Sequence, residues 1–364
     1  MLSTTLNRWL PGLMARVGRD RLEYFFSNTL NTFTPRLSSF FWTYDCKARI
    51  LDMRQETDDT RTFTLLPNQH FQNPVPGQHV EIRVRNPRSG EVLARNYTIS
   101  AAGEMTIEIT VKHKAGGDMS TWLHQHAAVG DEVELSQPRG RFVYQHQPKL
   151  LFVCAGSGVT PCFAIAEALL GQTNPADLAF FYRSRSPANT IFHDKLIALK
   201  SRLALTFSFS DDEAPAVLEK GMLAQIETAY PDFMDRHIYL CGPEGFRDAL
   251  LEDLKARNFD LTHLTLENFT PTQAPVAPGE SVEGTVTVRL TARNLSFEMN
   301  ETHQGMSLLE AAEANGIEME HGCRTGMCGT CRTHLLEGEV AGNQIGNCIY
   351  PCTTFPRSRE IVLE

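Results

Sequence analysis

The sequence predicts a multidomain chain of three folded parts: an antiparallel β-barrel, an α/β domain on a parallel sheet, and a small α+β module at the C-terminal end. Three observations predict it. From Lys47 onward six short strand-like runs follow one another with a single helical piece among them, which is the rhythm of a small barrel. After Pro148 strands and helices alternate, and that alternation requires a parallel sheet covered on both faces. Beyond a Pro-rich stretch at 271–281, short strands and one helix surround a loop of closely spaced cysteines. At 364 residues, 42% hydrophobic and 21% charged, the chain is long enough for two or three separate cores.

Residues 1–46 read as an N-terminal helical segment. Trp9, Leu10, Leu13, Met14 and Val17, then Leu22, Phe25, Phe26 and Leu30, recur near helical spacing, interrupted at Pro11-Gly12. Arg8, Arg16, Arg19 and Arg21 make it basic, so it either packs on the rest of the protein or makes peripheral membrane contact. The barrel domain spans 47–146, with strands expected at 47–53, 61–66, 79–84, 92–100, 105–113 and 132–135 and a helix at 119–126. Pro76-Gly77 and the 88–90 turn punctuate it. The α/β domain spans 147–270. Its strands are expected at 150–154, 178–183, 204–210, 237–241 and 264–269, and its helices at 162–170, 193–203, 222–229 and 246–256. Residues 271–281 form a linker by their Pro content. The last module, 282–364, has strands expected at 285–290, 295–299, 332–336 and 360–363. Its helix at 307–315 opens on a capping box of Ser307 and Glu310 and stops at Gly316.

No apolar run reaches transmembrane length and no signal peptide is evident. Nine cysteines show no disulfide pattern, which points to a cytoplasmic protein, peripheral at the inner membrane face if residues 1–46 touch lipid. Of the net charge of −9, residues 281–364 carry −5, from eleven Glu against six Arg with no Asp or Lys. Such a module suits a basic protein surface and argues against nucleic acid.

The chemistry concentrates in four stretches. Cys323, Cys328 and Cys331 stand at C-x4-C-x2-C spacing with Cys352 downstream, the arrangement that holds a plant-type [2Fe-2S] cluster. A four-cysteine zinc site is the alternative, but it usually shows two C-x2-C knuckles. Arg95-Asn96-Tyr97-Thr98-Ile99-Ser100 offers a guanidinium for a diphosphate, an aromatic ring to stack on a planar ring and hydroxyls for a ring nitrogen, a plausible flavin site. Gly116-Gly117 precedes a helix start where free amides and the Ser120 hydroxyl can hold phosphate. Gly156-Ser157-Gly158-Val159-Thr160-Pro161 joins a strand to a helix, with glycines for close approach to a pyrophosphate and Pro161 suited to the first helical turn.

With these motifs in this order, the chain resembles the ferredoxin-NADP reductase superfamily fused to a C-terminal plant-type ferredoxin, the reductase component of oxygenase and desaturase systems. The match covers about residues 47–364. The resemblance implies a flavin barrel, a nucleotide domain and a β-grasp ferredoxin domain. It assigns Arg95, Tyr97, Thr98 and Ser100 with Gly117, Ser120 and Thr160 to FAD. It assigns Gly156, Gly158, Thr160, Pro161 and Cys241-Gly242-Pro243 to the nicotinamide coenzyme, with Tyr97, Thr98 and Cys241 beside the reacting rings. Gly140-Arg141-Phe142 and Glu267-Asn268-Phe269 match segments closing the first and second domains. Reduced nicotinamide would deliver hydride to the flavin, and the cluster would take electrons singly. No His is given a catalytic role. Arg183-Ser184-Arg185 follows the second strand of the sheet with no Asp or Glu nearby in sequence, which favours NADPH over NADH. Between Cys348 and Cys352 for the fourth ligand, Cys352 with Pro356 and Ser358 after it fits the family layout. The expected acceptor is a separate oxygenase, hydroxylase or fatty-acid desaturase. A flavin and iron-sulfur redox sensor, or a reductase for another acceptor, is the competing function.

Overall fold

The computed structural model describes residues 40, 43, 45–85, 90, 92–173, 175–212, 221–267, 269, 282, 284–321, 324, 326 and 329–364. All of the expected helical segment at 1–46 except residues 40, 43, 45 and 46, the whole 271–281 linker, and Cys323 and Cys328 lie outside them. Among the described residues no helix is long and apolar enough to cross a membrane.

β1 (Lys47–Thr57), β2 (Thr60–Pro67), β3 (His79–Arg85), β4 (Val92–Ala102), β5 (Ile107–Lys112) and β6 (Glu132–Leu135) close into a barrel in the order β1-β2-β5-β4-β3-β6. Alternate side chains point inward, and Ile50, Phe63, Val80, Ile82, Ile109 and Val111 are fully buried there. Helix α1 (Asp118–Gln125) adds Met119 and Leu123 to that core.

The second domain is a five-stranded parallel sheet in the order β11-β10-β7-β8-β9. Its strands are β7 (Lys149–Ala155), β8 (Asp177–Ser184), β9 (Ala204–Phe209), β10 (His237–Cys241) and β11 (Leu264–Glu267). The helices are α2 (Val159–Leu170), α3 (His193–Leu199), α4 (Gly221–Ala229) and α5 (Glu244–Ala256). Strand β7 feeds two cores. Leu150, Phe152 and Cys154 pack toward Phe163 and Leu169 of α2, whereas Leu151 and Val153 pack toward Leu223, Leu250 and Leu254. This is the period-two consequence of a sheet buried on both faces. The α3 helix stops at Leu199, four residues before its expected end.

The third domain is a six-stranded mixed sheet in the order β13-β12-β17-β14-β16-β15 around one helix, the β-grasp arrangement. It comprises β12 (Val286–Leu290), β13 (Leu295–Met299), α6 (Leu308–Ala314), β14 (Thr333–Glu337), β15 (Val340–Ile345), β16 (Cys348–Pro356) and β17 (Glu360–Leu363). Only β12 and β17 pair in parallel. The capping box forms: Ser307 Oγ accepts from the Glu310 amide at 3.2 Å, and Glu310 Oε2 accepts from the Ser307 amide at 2.8 Å. The β15–β16 hairpin was not expected. Its glycines and asparagines lower strand propensity, yet Gly342 is required, since a Cβ there would meet the Thr353 carbonyl oxygen at 2.1 Å.

Candidate functional site

The barrel and the parallel sheet meet along a seam that starts at Pro76-Gly77. Gly77 has φ +95°, and a Cβ on it would lie 1.9 Å from the Phe142 carbonyl oxygen and 2.9 Å from Ile165 Cδ1. Only glycine lets this turn wedge between the barrel's closing segment and α2. Beyond the turn, His79 pairs directly with Thr98 across β3 and β4, so their side chains share one face of the sheet. His79 Nδ1 lies 3.5 Å from Glu267 Oε1, with both side chains buried. Glu267 in turn stands in register with Cys241 on β10. Thr98 and His79 from the barrel and Cys241 and Glu267 from the sheet therefore meet in one place.

Thr98 Oγ1 in this cluster is buried and has no hydrogen-bond partner among the described residues. A buried orphaned hydroxyl costs ~1–3 kcal/mol, so its position calls for a polar ligand, and this fits a flavin ring. Tyr97 is partly buried, and burial raises its phenol pKa despite the Arg95 charge, so it presents a neutral ring to a stacking partner. Arg95 is exposed and donates to the adjacent Ala94 carbonyl at 2.7 Å. Burial, Glu267 and Cys162 together hold the Cys241 thiol well above its usual pKa; it is a neutral S–H, not a thiolate nucleophile.

Two of the predicted hydroxyls are engaged elsewhere. Ser100 Oγ bonds Thr110 Oγ1 at 3.0 Å and the Glu108 carbonyl at 3.2 Å. Ser120 Oγ accepts from the Lys114 amide at 3.1 Å and donates to the Gly117 carbonyl at 3.1 Å. It braces the loop at 114–120, while Gly116, at φ +74° with no atom within 4 Å of a built Cβ, leaves open space before α1.

The Gly156–Gly158 turn sits at the carboxyl end of β7, where nucleotides bind in sheets of this kind. Thr160 Oγ1 donates to the Ser157 carbonyl at 2.9 Å and braces the turn. Tyr182, which the sequence reading did not single out, donates to the Gly156 carbonyl at 3.0 Å and accepts from the Ile191 amide at 3.1 Å. Gly158 packs on the end of β10 beside Cys241-Gly242, and Gly242 itself lies against Phe246 and Ala155. This brings the two predicted coenzyme segments together, with Pro161 buried in α2 and Pro243 capping α5.

Of the predicted phosphate-binding trio, Ser184 Oγ is buried against Thr190 Oγ1 at 2.7 Å, and Arg183 Nη1 donates to Ser208 Oγ at 2.9 Å. Arg185 is exposed, and its Nη2 stands 3.6 Å from Asp59 Oδ2. The expectation of no carboxylate beside this turn is corrected here. Asp59 comes from the β1–β2 hairpin, a contact across domains that local sequence cannot register.

In the third domain Cys331 Sγ and Cys352 Sγ lie side by side at 3.2 Å, and the Gly326 amide donates to Cys352 Sγ at 3.2 Å. Gly326 and Gly329 have positive φ, as does Arg324. Arg324 is held by a two-pronged contact to Glu313 on α6, at 2.9 and 2.6 Å. At these positions the Gly326 amide faces sulfur. Thr330 Oγ1 is buried there without a partner among the described residues. Two adjacent cysteine sulfurs with a backbone amide donating to one of them fit an iron-sulfur cluster. Cys348 lies apart, with Arg332 Nη2 at 3.0 Å and His334 Nε2 at 3.8 Å from its sulfur.

Comparison with known proteins agrees with this layout. An oxidoreductase FAD-binding domain matches residues 47–144, an oxidoreductase NAD-binding domain residues 152–251, and a 2Fe-2S iron-sulfur cluster binding domain residues 294–357. The glycine betaine monooxygenase reductase subunit of Chromohalobacter salexigens is 30% identical over 367 residues, covering 91% of this chain and 98% of that protein. Among solved structures, phthalate dioxygenase reductase superposes with a TM-score of 0.51 at 24% identity, over 88% of this chain and 98% of that one. Full-length CYP116B46 from Tepidiphilus thermophilus superposes with a TM-score of 0.64 at 24% identity; this chain spans 41% of its length. The chain thus belongs to the ferredoxin-NADP reductase superfamily, among the oxidoreductases that join an FAD domain and an NAD domain to a C-terminal plant-type [2Fe-2S] ferredoxin domain.

Proposed function

We propose that this protein is the reductase component of an oxygenase system, carrying electrons from NAD(P)H through FAD and a [2Fe-2S] cluster to a separate oxygenase. The observation that carries the proposal is the seam where His79, paired with the orphaned Thr98 on one barrel face, meets Glu267, in register with Cys241, across the domain boundary. A flavin ring held on the barrel there would meet a nicotinamide held on the sheet. Bound FAD supplies the conversion of a two-electron hydride into single electrons.

The chain's own residues orient and enclose. Thr98 would donate to the flavin ring, Tyr97 would stack on it, and Arg95 with the Gly116–Gly117 amides would receive the diphosphate. Ser120, Ser100 and Thr160 hold the surrounding backbone in shape rather than touching ligand. The Gly156–Gly158 turn receives the coenzyme pyrophosphate, and Cys241-Gly242-Pro243 forms the floor under the nicotinamide, with a neutral thiol that adds no charge to the ring. Cys323, Cys328, Cys331 and Cys352 ligate the cluster. The partner is an oxygenase of the kind served by the glycine betaine monooxygenase reductase subunit. The protein works in the cytoplasm, and residues 1–46 are the segment through which any peripheral membrane contact would be made.

The test is NAD(P)H-driven reduction of ferricyanide and cytochrome c by the reconstituted holoprotein. Fast reduction of both is expected, with cytochrome c reduction lost in Cys331→Ser and ferricyanide reduction retained. Flavin reduction slower than about one per minute would sink the reductase reading and favour the sensor.

A further inference from the structure

Asp59 sits at the β1–β2 hairpin with each carboxylate oxygen engaged. Thr57 and Thr60 hydroxyls donate to Oδ1, both at 3.0 Å. Oδ2 faces Lys112 Nζ at 3.3 Å and, across the domain seam, Arg185 Nη2 at 3.6 Å. Against the cost of its partial burial, these hydroxyls and the Lys112 charge hold its pKa below the ordinary carboxylate value, so it is an anion at neutral pH. Its charge is felt at Tyr182, whose hydroxyl closes the Gly156 turn. A fixed carboxylate from the barrel therefore stands beside the carboxyl ends of β7 and β8, where the adenosine end of a dinucleotide would lie.

We propose that Asp59 sets the coenzyme preference: it accepts the adenosine ribose diol and repels a 2′-phosphate, making NADH the preferred reductant. This rests on the dinucleotide reading of the Gly156–Gly158 turn. In nucleotide-binding sheets a carboxylate near this point takes the ribose hydroxyls, and an arginine takes the 2′-phosphate. At this turn the nucleotide domain supplies the arginine, with Asp211 bonded through its backbone amide to the Arg185 carbonyl at 3.0 Å, and the barrel supplies a carboxylate that faces the guanidinium. Ser184 is buried and Arg183 bonds Ser208, so Arg185 is the exposed cation of the predicted trio. A 2′-phosphate would have to draw Arg185 off Asp59 and then sit near a carboxylate. For a dianion and a monoanion roughly 6 Å apart in a wet cleft this costs about tenfold in affinity.

Isothermal titration of the FAD-loaded, full-length protein with 5′-AMP and 2′,5′-ADP tests it without turnover. The wild type is expected to bind 5′-AMP at least as tightly as 2′,5′-ADP. Asp59→Asn, which keeps an acceptor for Thr57 and Thr60, should tighten 2′,5′-ADP about tenfold and raise the NADPH to NADH ratio of kcat/KM in step. Adding Arg185→Ala should abolish that gain. Arg185→Ala alone, at an exposed position, should change 2′,5′-ADP affinity by less than about threefold, because the Asp59 charge 3.6 Å away already offsets most of the arginine's attraction for a phosphate. Tighter wild-type binding of 2′,5′-ADP with a tenfold loss in Arg185→Ala would overturn the proposal, as would an Asp59→Asn protein with unchanged selectivity. If neither nucleotide binds, the dinucleotide reading of the turn fails, and the proposal with it.

Discussion

Gly158 is the residue on which the coenzyme side of the site turns, and its replacement by Ala separates steric from conformational demands. Its φ is −62°, ordinary for any residue, so backbone freedom is not the reason for glycine. An added Cβ would stand 2.2 Å from the Cys241 carbonyl oxygen, 2.5 Å from its carbonyl carbon and 2.8 Å from the Gly242 amide nitrogen. All three are backbone atoms, so no rotamer change relieves the clash. Reaching ordinary contact requires the turn and the end of β10 to part by roughly 1 Å, an overpacking cost of ~1–3 kcal/mol. The same movement displaces the Gly156 turn from Cys241-Gly242, and a 1 Å error in positioning reacting groups costs about a hundredfold in rate. Stopped-flow measurement of flavin bleaching by NADH should therefore show a fall of about that size, with FAD content unchanged because the barrel is untouched. Gly156→Ala is the contrasting change: φ there is +54° and a Cβ meets no protein atom within 4 Å, so it should cost ~1–2 kcal/mol of stability through left-handed strain and weaken NADH binding at the turn that receives the pyrophosphate. Hydride transfer within twofold of wild type in Gly158→Ala would refute the close-approach argument.

Three further outcomes follow from the same geometry. Cys352→Ser should eliminate the cluster's visible absorption and paramagnetic resonance signal, while Cys348→Ser, whose sulfur faces Arg332 and His334, should keep both; the reverse pattern would move the fourth ligand to Cys348. Thr98→Val removes an orphaned hydroxyl without changing shape, so the FAD-free protein should melt no lower than wild type, while flavin reduction slows about tenfold through one lost hydrogen bond; a lower apoprotein Tm would show that the hydroxyl is already satisfied. Burial and the charges of His263 and Arg332 push the pKa of His237 down to about 4. The unfolded chain binds this proton near pH 6.5 and the folded chain does not, so stability is full above pH 6.5 and falls as pH drops toward 4. The ceiling of ~3 kcal/mol is reduced to about 1–2 by the ring's partial solvent access. Urea unfolding should show this slope flattened in His237→Gln, and an unchanged slope would remove His237 as its source.

Much of the fold was legible because periodicity reports burial locally. The alternation in β3 and the two-sided apolar strand β7 encode which face meets which core, and β6, β10, β13 and β17 fall at their expected bounds. The β15–β16 hairpin escaped because its requirement for Gly342 comes from Thr353 across the ladder, not from its own propensity. The site divides in the same way. Turn glycines and the cysteine spacing are local and could be read. Whether a hydroxyl faces ligand or backbone depends on partners far along the chain: Thr98 and Ser100 are two residues apart in one strand, yet one is orphaned and the other is spent on Thr110. The contacts of His79 with Glu267, and of Asp59 with Arg185, join residues more than a hundred positions apart and leave no local mark.

The two seams of the molecule differ in strength, and the difference follows the direction of electron flow. The barrel and the nucleotide domain are joined by the buried His79–Glu267 pair, by Phe142 edge-on to Tyr239 with centroids 5.2 Å apart, and by the Gly77 wedge. Parting these buried, close-packed contacts would expose apolar and polar groups together, so these two domains are held as one body. The ferredoxin domain is held to the barrel's closing segment by Arg141, which donates to Glu320 Oε2 at 2.6 Å and to the Arg332 carbonyl at 3.0 Å. Both charged side chains are more than half exposed, and such a pair contributes only ~0–1 kcal/mol, less in salt. Burial thus fixes the barrel against the nucleotide domain, whereas the ferredoxin domain, whose Arg332 also acts on His237 of the nucleotide domain, meets the barrel's closing segment through a contact that its acidic surface can exchange for another basic one.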